Sequence, residues 1–231
     1  MIFDTELVHG KLIKRYKRFL ADISLDNGDI ITAHCTNSGS MKSCIEVGAS
    51  VYLTPNDDPS RRTKFTWEMI HINGGWVGVN TLMPNKLAFE GITNNSIDKL
   101  AGYNFAKREV KFSDSRFDIY AENDTEKCFI EVKNVTMKSE NYALFPDAVT
   151  SRGLKHLKTL VEVKRSGIRA VMLYIIQRTD VDTFGIAKSI DPKYNSGLLR
   201  AISEGVEVIA MQAKVSPQEI ILQKELPINI Y

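Results

Sequence analysis

The chain has 231 residues, 43% of them hydrophobic and 25% charged, which is ordinary globular composition and excludes a disordered or fibrous protein. A formal net charge of +2 names no partner by itself. Three cysteines with no CxxC exclude a disulfide framework and a zinc ribbon and fit a reducing cytoplasm. The longest apolar run, "AVMLYII", is far short of the roughly 20 residues that span a bilayer. The expectation is a cytoplasmic protein with no membrane partner.

The first eighty residues read as β. "ELVHGKLIKRY" and "RFLADISL" alternate, "DNGD" is a hairpin signal, and "IITAH", "ASVYLTP", "TKFTWEMIHI" and "WVGVN" follow. Five or six short strands without a helix suggest a small closed barrel of OB type. Basic residues stand along it: Lys14, Arg15 and Arg18 in "KLIKRYKR", then Arg61 and Lys64 in "RRTK". Tyr16, Phe19, Phe65 and Trp67 are interleaved with them, which suits single-stranded nucleic acid as well as plain core packing. The polar loop "NSGSM" lies next to a strand end and suggests no chemistry of its own.

After Asn80 the texture changes. "MPNKLAFEGI" starts a helix at Pro84, and "NSIDKLAGY" reads as a short helix ending at Gly102. "FAKREVKF", "SRFDIYAE" and "CFIEVKNV" are strand-like. "TSRGLKHLKTLVEVKRSG" is the clearest helix, capped by Thr150 and ended by Gly167. "RAVMLYIIQ" is a buried strand, followed by a further helix "YNSGLLRAISEG" and a strand "VEVIAMQAKV". The fold class expected is therefore α/β (α+β): an OB-like barrel over residues 1–80, then a mixed sheet covered by helices over residues 81–231.

The hairpin "SRFDIYAENDTEKCFIEVKN" carries the chemistry. In its second strand Phe129, Glu131 and Lys133 share one face, and Cys128, Ile130 and Val132 share the other. A turn centred between Asp124 and Thr125 pairs residues whose numbers sum to 249 and sets Asp118 opposite Glu131. Two carboxylates that close call for a proton or a hard cation, and Mg2+ or Mn2+ suits oxygen ligands. With Lys133 beside them, the D…E-x-K spacing matches the core of the PD-(D/E)xK nuclease arrangement.

Segments along nearly the whole chain resemble the sugar fermentation stimulation protein A family of bacteria and archaea: "RYKRFLADI", "HCTNSGSM", "GVNTLMPNKL", "KREVKF", "SRFDI", "FIEVKNVTM", "FPDAVTSRGLKHL" and "GIRAVMLYI". The resemblance implies an N-terminal OB-like domain, a PD-(D/E)xK nuclease-like C-terminal domain, and DNA binding with a role in regulating sugar (maltose) metabolism. It sets the acidic core on Asp118 and Glu131 with Lys133 as basic partner. Glu109 in "KREVKF" is the candidate third metal ligand, with Asp98 a weaker one.

Around this core, Arg116 could reach a phosphate or bridge a neighbouring glutamate. Arg152 and His156, four apart on the long helix, are candidates for DNA-backbone contact. Asp147 is either a site residue or a helix cap, and Gln177 either faces the cleft or begins a turn. Three functions stand open: a DNA-binding regulator with a residual acidic site, a magnesium-dependent DNA phosphodiesterase, and a small-molecule phosphate enzyme. DNA contact is expected to be largely sequence-independent. The oligomeric state is open, a homodimer included.

Overall fold

A computed structural model describes residues 1–230. The N-terminal strands are β1 (Val8–Tyr16), β2 (Leu20–Leu25), β3 (Ile30–His34), β4 (Ser50–Pro55), β5 (Phe65–Ile72) and β6 (Gly75–Gly78). They form one sheet in the order β3-β2-β1-β4-β5-β6, and a parallel contact between His34 and Thr66 joins β3 to β5. That contact closes a five-stranded OB-like barrel. Its interior is Leu12, Ala21, Ile23, Val51, Leu53, Trp67 and Ile70, the inward members of alternating strands.

Helix α1 (Met83–Thr93) follows, with Pro84 in its first turn as its fixed φ favours. The short helix expected to end at Gly102 shrinks to a single 3-10 turn over Asp98–Leu100. Local bonds explain the difference. The Asn95 side chain takes the Gly102 N–H at 2.8 Å and the Asn94 side chain takes the Ser96 N–H at 3.0 Å, in competition with helical partners.

The second sheet contains β7 (Phe105–Phe112), β8 (Ser115–Glu122), β9 (Lys127–Val135), β12 (Arg169–Ile176), β14 (Glu207–Val215) and β15 (Ile220–Glu225). Its order is β15-β14-β12-β9-β8-β7, with β12 parallel to both β9 and β14 and the outer pairings antiparallel. One face packs on α1; the other packs on α2 (Ser151–Arg165) and α3 (Pro192–Ser203). A small sheet of β10 (Met137–Ser139), β11 (Tyr142–Phe145), β13 (Thr183–Ile186) and β16 (Ile228–Asn229) was not anticipated. Its strands of two to four residues are too short for a periodicity to register. Among the described residues no helix is long and apolar enough to cross a membrane.

Barrel and second sheet meet through buried polar groups. Arg178, with no exposed surface, donates to Asp180 at 2.7 and 2.8 Å and to the Thr136 carbonyl at 2.6 Å, and reaches the Ser43 carbonyl at 3.5 Å. Gln177 donates to the Asn80 carbonyl and to Asn134 Oδ1.

Candidate active site

The β8–β9 hairpin keeps the register expected for it. Ile119 pairs with Ile130 and Glu122 with Lys127, both sums being 249, around a loop in which the Asn123 side chain accepts the Thr125 and Glu126 N–H groups. The strand parity also holds: Cys128, Ile130 and Val132 lie in the α1-side core and Phe129 in the α2-side core.

The expected Asp118–Glu131 pair is not formed: the regular ladder stops at Ile119 and Ile130. The Val132 N–H donates to Asp118 Oδ2 at 2.8 Å, and Asn85 Nδ2 on α1 donates to Asp118 Oδ1 at 2.7 Å. Phe117 and Ile119, which an ideal strand would set on one face, lie in opposite cores. The neighbouring strand is irregular at the same level: the β7–β8 pairing skips Glu109, whose φ is 58°. Left-handed backbone at a non-glycine residue is strain of the kind found around functional sites.

Glu131 is 2% exposed. Its Oε1 accepts from Lys133 Nζ and from His156 Nδ1, whereas its Oε2 is buried with no hydrogen-bond partner. His156 Nε2 in turn accepts from Arg152 Nε at 3.4 Å. A chain of groups thus runs from an exposed arginine on α2 through a buried imidazole to a buried carboxylate.

The two carboxyls titrate in opposite directions. Burial, and then the negative charge of Glu131, push Asp118 up to about 6, against the pull of the Val132 N–H, Lys133 and Asn85. Burial also pushes Glu131 up, but the His156 hydrogen bond and the Lys133 charge outweigh it and hold that carboxyl below its ordinary range. The pair is therefore one anchored carboxylate next to one whose charge is resisted.

The model for the Sugar fermentation stimulation protein RE domain matches residues 82–219, and that for the SfsA N-terminal OB domain matches residues 13–79. The chain belongs to the sugar fermentation stimulation protein family. Homologs in the family include one from Geobacter sulfurreducens, 47% identical over 99% of this chain and 98% of its own, and one from Pelagibacter ubique, 46% identical over 99% of both. The solved structure of Pyrococcus furiosus SfsA in complex with Ca2+ superposes with a TM-score of 0.90 at 27% identity, covering 100% of this chain and 98% of that one.

Against this family frame, several expected site residues are placed differently. Glu109 does not join Asp118 and Glu131: its side chain is exposed and faces Arg116 at 3.9 Å. Asp98 opens the 3-10 turn and bonds in neither carboxyl's set. Among the described residues no three His, Cys, Asp or Glu side chains gather as a metal cluster. His156 is not on an exposed flank; it is 6% exposed because the helix presents it to Glu131. Gln177 is fully buried at the joint between the halves and does not face a cleft.

Arg15 is committed elsewhere too. Its guanidinium donates to the Asn37 and Gly39 carbonyls at 2.8 and 3.0 Å and lies 3.4 Å from the Ser40 carbonyl, pinning the "NSGSM" loop. Arg15→Met is expected to lower the unfolding free energy by about 2 kcal/mol, the scale of charged hydrogen bonds. Urea denaturation checks this, and a loss under about 0.5 kcal/mol, a typical surface effect, would show that the loop holds itself.

Of the other cations, Lys14 lies 3.4 Å from Asp22 and over the Tyr16 ring, and Arg61 lies 4.0 Å from Asp58. Lys64 donates to the Asp58 carbonyl, and Arg18 and Arg116 are exposed. Thr150, not Asp147, caps α2 by accepting the Gly153 N–H at 3.1 Å. Asp147 instead accepts the Met41 N–H across the joint between the halves. Asn85 is the site residue that sequence reasoning missed. It stands in "MPNKL", beside the proline that opens α1, so its place in a first helical turn was readable and its partner was not.

Proposed function

We propose that the chain acts on DNA as a divalent-metal-dependent phosphodiesterase, with Asp118 and Glu131 as the protein's metal ligands and Lys133 as the basic partner. The barrel through residue 80 would present DNA, and the remainder would carry the chemistry. The observation that supports this most is the orphaned Oε2 of Glu131: a buried anionic oxygen without a donor, next to a second carboxyl that its charge destabilises. An unpartnered buried acceptor is costly, and a hard cation bound through oxygen relieves both defects at once. The residues therefore fit Mg2+ or Mn2+, with water or phosphate oxygens completing the ion's shell. When bound, such an ion polarises a phosphoryl oxygen and acidifies a coordinated water.

The chain's own groups do the rest. Asn85 and the Val132 N–H fix the Asp118 carboxyl in orientation, and His156 fixes Glu131. Lys133, 16% exposed, offers an ammonium to the charge that builds on a reacting phosphate. Arg152 and Arg116 stand exposed on the elements that carry the site, where a DNA backbone would pass.

A second reading is a DNA-binding regulator of sugar metabolism. It is favoured by one observation: Lys133 already neutralises Glu131 without an ion. Incubation with single- and double-stranded DNA in magnesium or manganese separates the two, since the regulator cuts neither. Both readings require backbone contact, so log K for random-sequence DNA is expected to fall linearly with log salt, at about −0.7 to −0.9 per phosphate neutralised. Salt-independent or absent binding would remove both.

A further inference from the structure

The Asn37–Met41 loop and the segment from Phe145 to Thr150 belong to opposite halves of the chain, and they are fitted to each other closely. Arg15 holds the loop carbonyls from one side, and Asp147 Oδ2 takes the Met41 N–H from the other. A Cβ at position 39 would lie 2.1–2.5 Å from three carboxyl atoms of Asp147, so any larger residue would displace that carboxyl from the loop. Met41 itself is left-handed, with φ at 53°. Backbone held in a strained conformation persists only where the surrounding structure over-determines it.

The shape is a cleft of about 300 Å3. Its walls offer Asn37, Ser38, Asn134 and Asp147 for hydrogen bonding, and Phe145 and Val149 as apolar surface. Val149 is 75% exposed, an apolar side chain that folding leaves in water. Arg18 stands on the rim; among the described residues its side chain has neither a hydrogen-bond nor an ion-pair partner. Chain continuity ties the cleft to the acidic site. Asn134 follows Lys133 on β9, and Thr150 caps the helix that carries Arg152 and His156.

We infer that this cleft receives one unpaired nucleotide of a DNA strand whose adjoining phosphate lies at Glu131 and Lys133. The inference rests on the phosphodiesterase reading and narrows its substrate to strands with an unstacked base at the reacting position. The volume is at the bottom of the range of about 300–1,000 Å3 for small-ligand sites and has room for a single base. Amide and carboxyl groups can read the pairing edge of a base only when that edge is free. The apolar wall suits the base face, and Arg18 suits the flanking phosphate.

The test uses the full chain in EDTA, so that no strand is cut. The probes are a single-stranded oligonucleotide and its duplex, each with one 2-aminopurine. The variants are Arg18→Ala and Val149→Asp, both at exposed side chains, with Lys193→Ala, in a separate groove between α2 and α3, as control. The expected result is single-strand affinity about tenfold lower in both variants, as loss of one stacked base would give, with loss of the 2-aminopurine signal change. Duplex affinity stays within about twofold, and the control matches the unaltered chain on both probes. Equal weakening for single strand and duplex, or no weakening, overturns the inference while leaving the phosphodiesterase reading intact. Absence of binding to either DNA by the unaltered chain overturns both.

Discussion

Glu131→Gln is expected to lower metal-dependent DNA cleavage by about a thousandfold, the rate equivalent of roughly 4 kcal/mol of lost charge stabilisation. The amide keeps the size of the carboxyl but removes the charge that an ion needs. It also turns the oxygen on which Lys133 and His156 both converge from a carboxylate into a neutral amide acceptor, so the ammonium loses its counter-charge. Lys133→Met gives the complementary result: cleavage falls while metal-induced stabilisation remains, because the lysine serves the phosphate and not the ion. Rates come from time courses on labelled DNA in magnesium and manganese, and ion binding from thermal melting. Cleavage by Glu131→Gln within tenfold of the unaltered chain would place the chemistry elsewhere. An unaltered chain that cuts no substrate would leave the regulator reading standing.

The second large effect is on stability, and its sign follows from Asp118. Its folded-state pKa of about 6 lies above the ordinary 3.8, so between those values the folded chain holds more proton than the unfolded one. Stability contributed by this group therefore falls as pH rises through that window, and above pH 6 the full cost is present, on the order of 3 kcal/mol. Glu131, lowered in the fold, acts oppositely: its contribution is present above the ordinary carboxyl range and is lost as pH falls through its folded value. Asp118→Asn is expected to raise the metal-free melting temperature at pH 7.5 and to lose that advantage below pH 4. The Asn85 amide can turn over to present its oxygen to the new side-chain N–H, so the exchange leaves no stranded donor. A divalent ion should reproduce the gain in the unaltered chain: ion at a hundredfold excess over its dissociation constant is worth about 2.7 kcal/mol. That rise should shrink at pH 5 and be absent in Asp118→Asn. A melting temperature indifferent to ion and to substitution at both pH values would refute the carboxyl pair as an ion site.

The hairpin was readable because parity and register are local properties. A side-chain period of two and a symmetric loop suffice to pair residues 119–122 with 127–130 and to bring Asp118 to the end of that ladder. The break in the ladder was not readable, because it depends on the Asp118 carboxyl capturing the Val132 N–H and on Asn85 arriving from α1. His156 shows the same boundary on the helix. By spacing it joins Arg152 on a basic flank; in the fold it is buried because Glu131, twenty-five residues earlier, supplies the partner that makes burial tolerable. Arg15 is the reverse case, a cation that looked free and is used on backbone carbonyls of a distant loop. What the sequence left out in each instance was a tertiary partner.

Arg178 bears on how separable the barrel is from the rest. A guanidinium cannot shed its charge, and this one is fully enclosed between Asp180, the Thr136 carbonyl and the barrel loop at Ser43. Pulling the halves apart would leave the guanidinium its Asp180 and Thr136 partners but strip its Ser43 contact and its cover, and would open the cleft wall at Gly39 and Asp147 in the same movement. In modular terms the barrel is not a detachable adaptor. A lineage that grafted it onto another domain would have to keep the Met41–Cys44 turn and supply a partner surface shaped to it, or redesign both sides of the joint together.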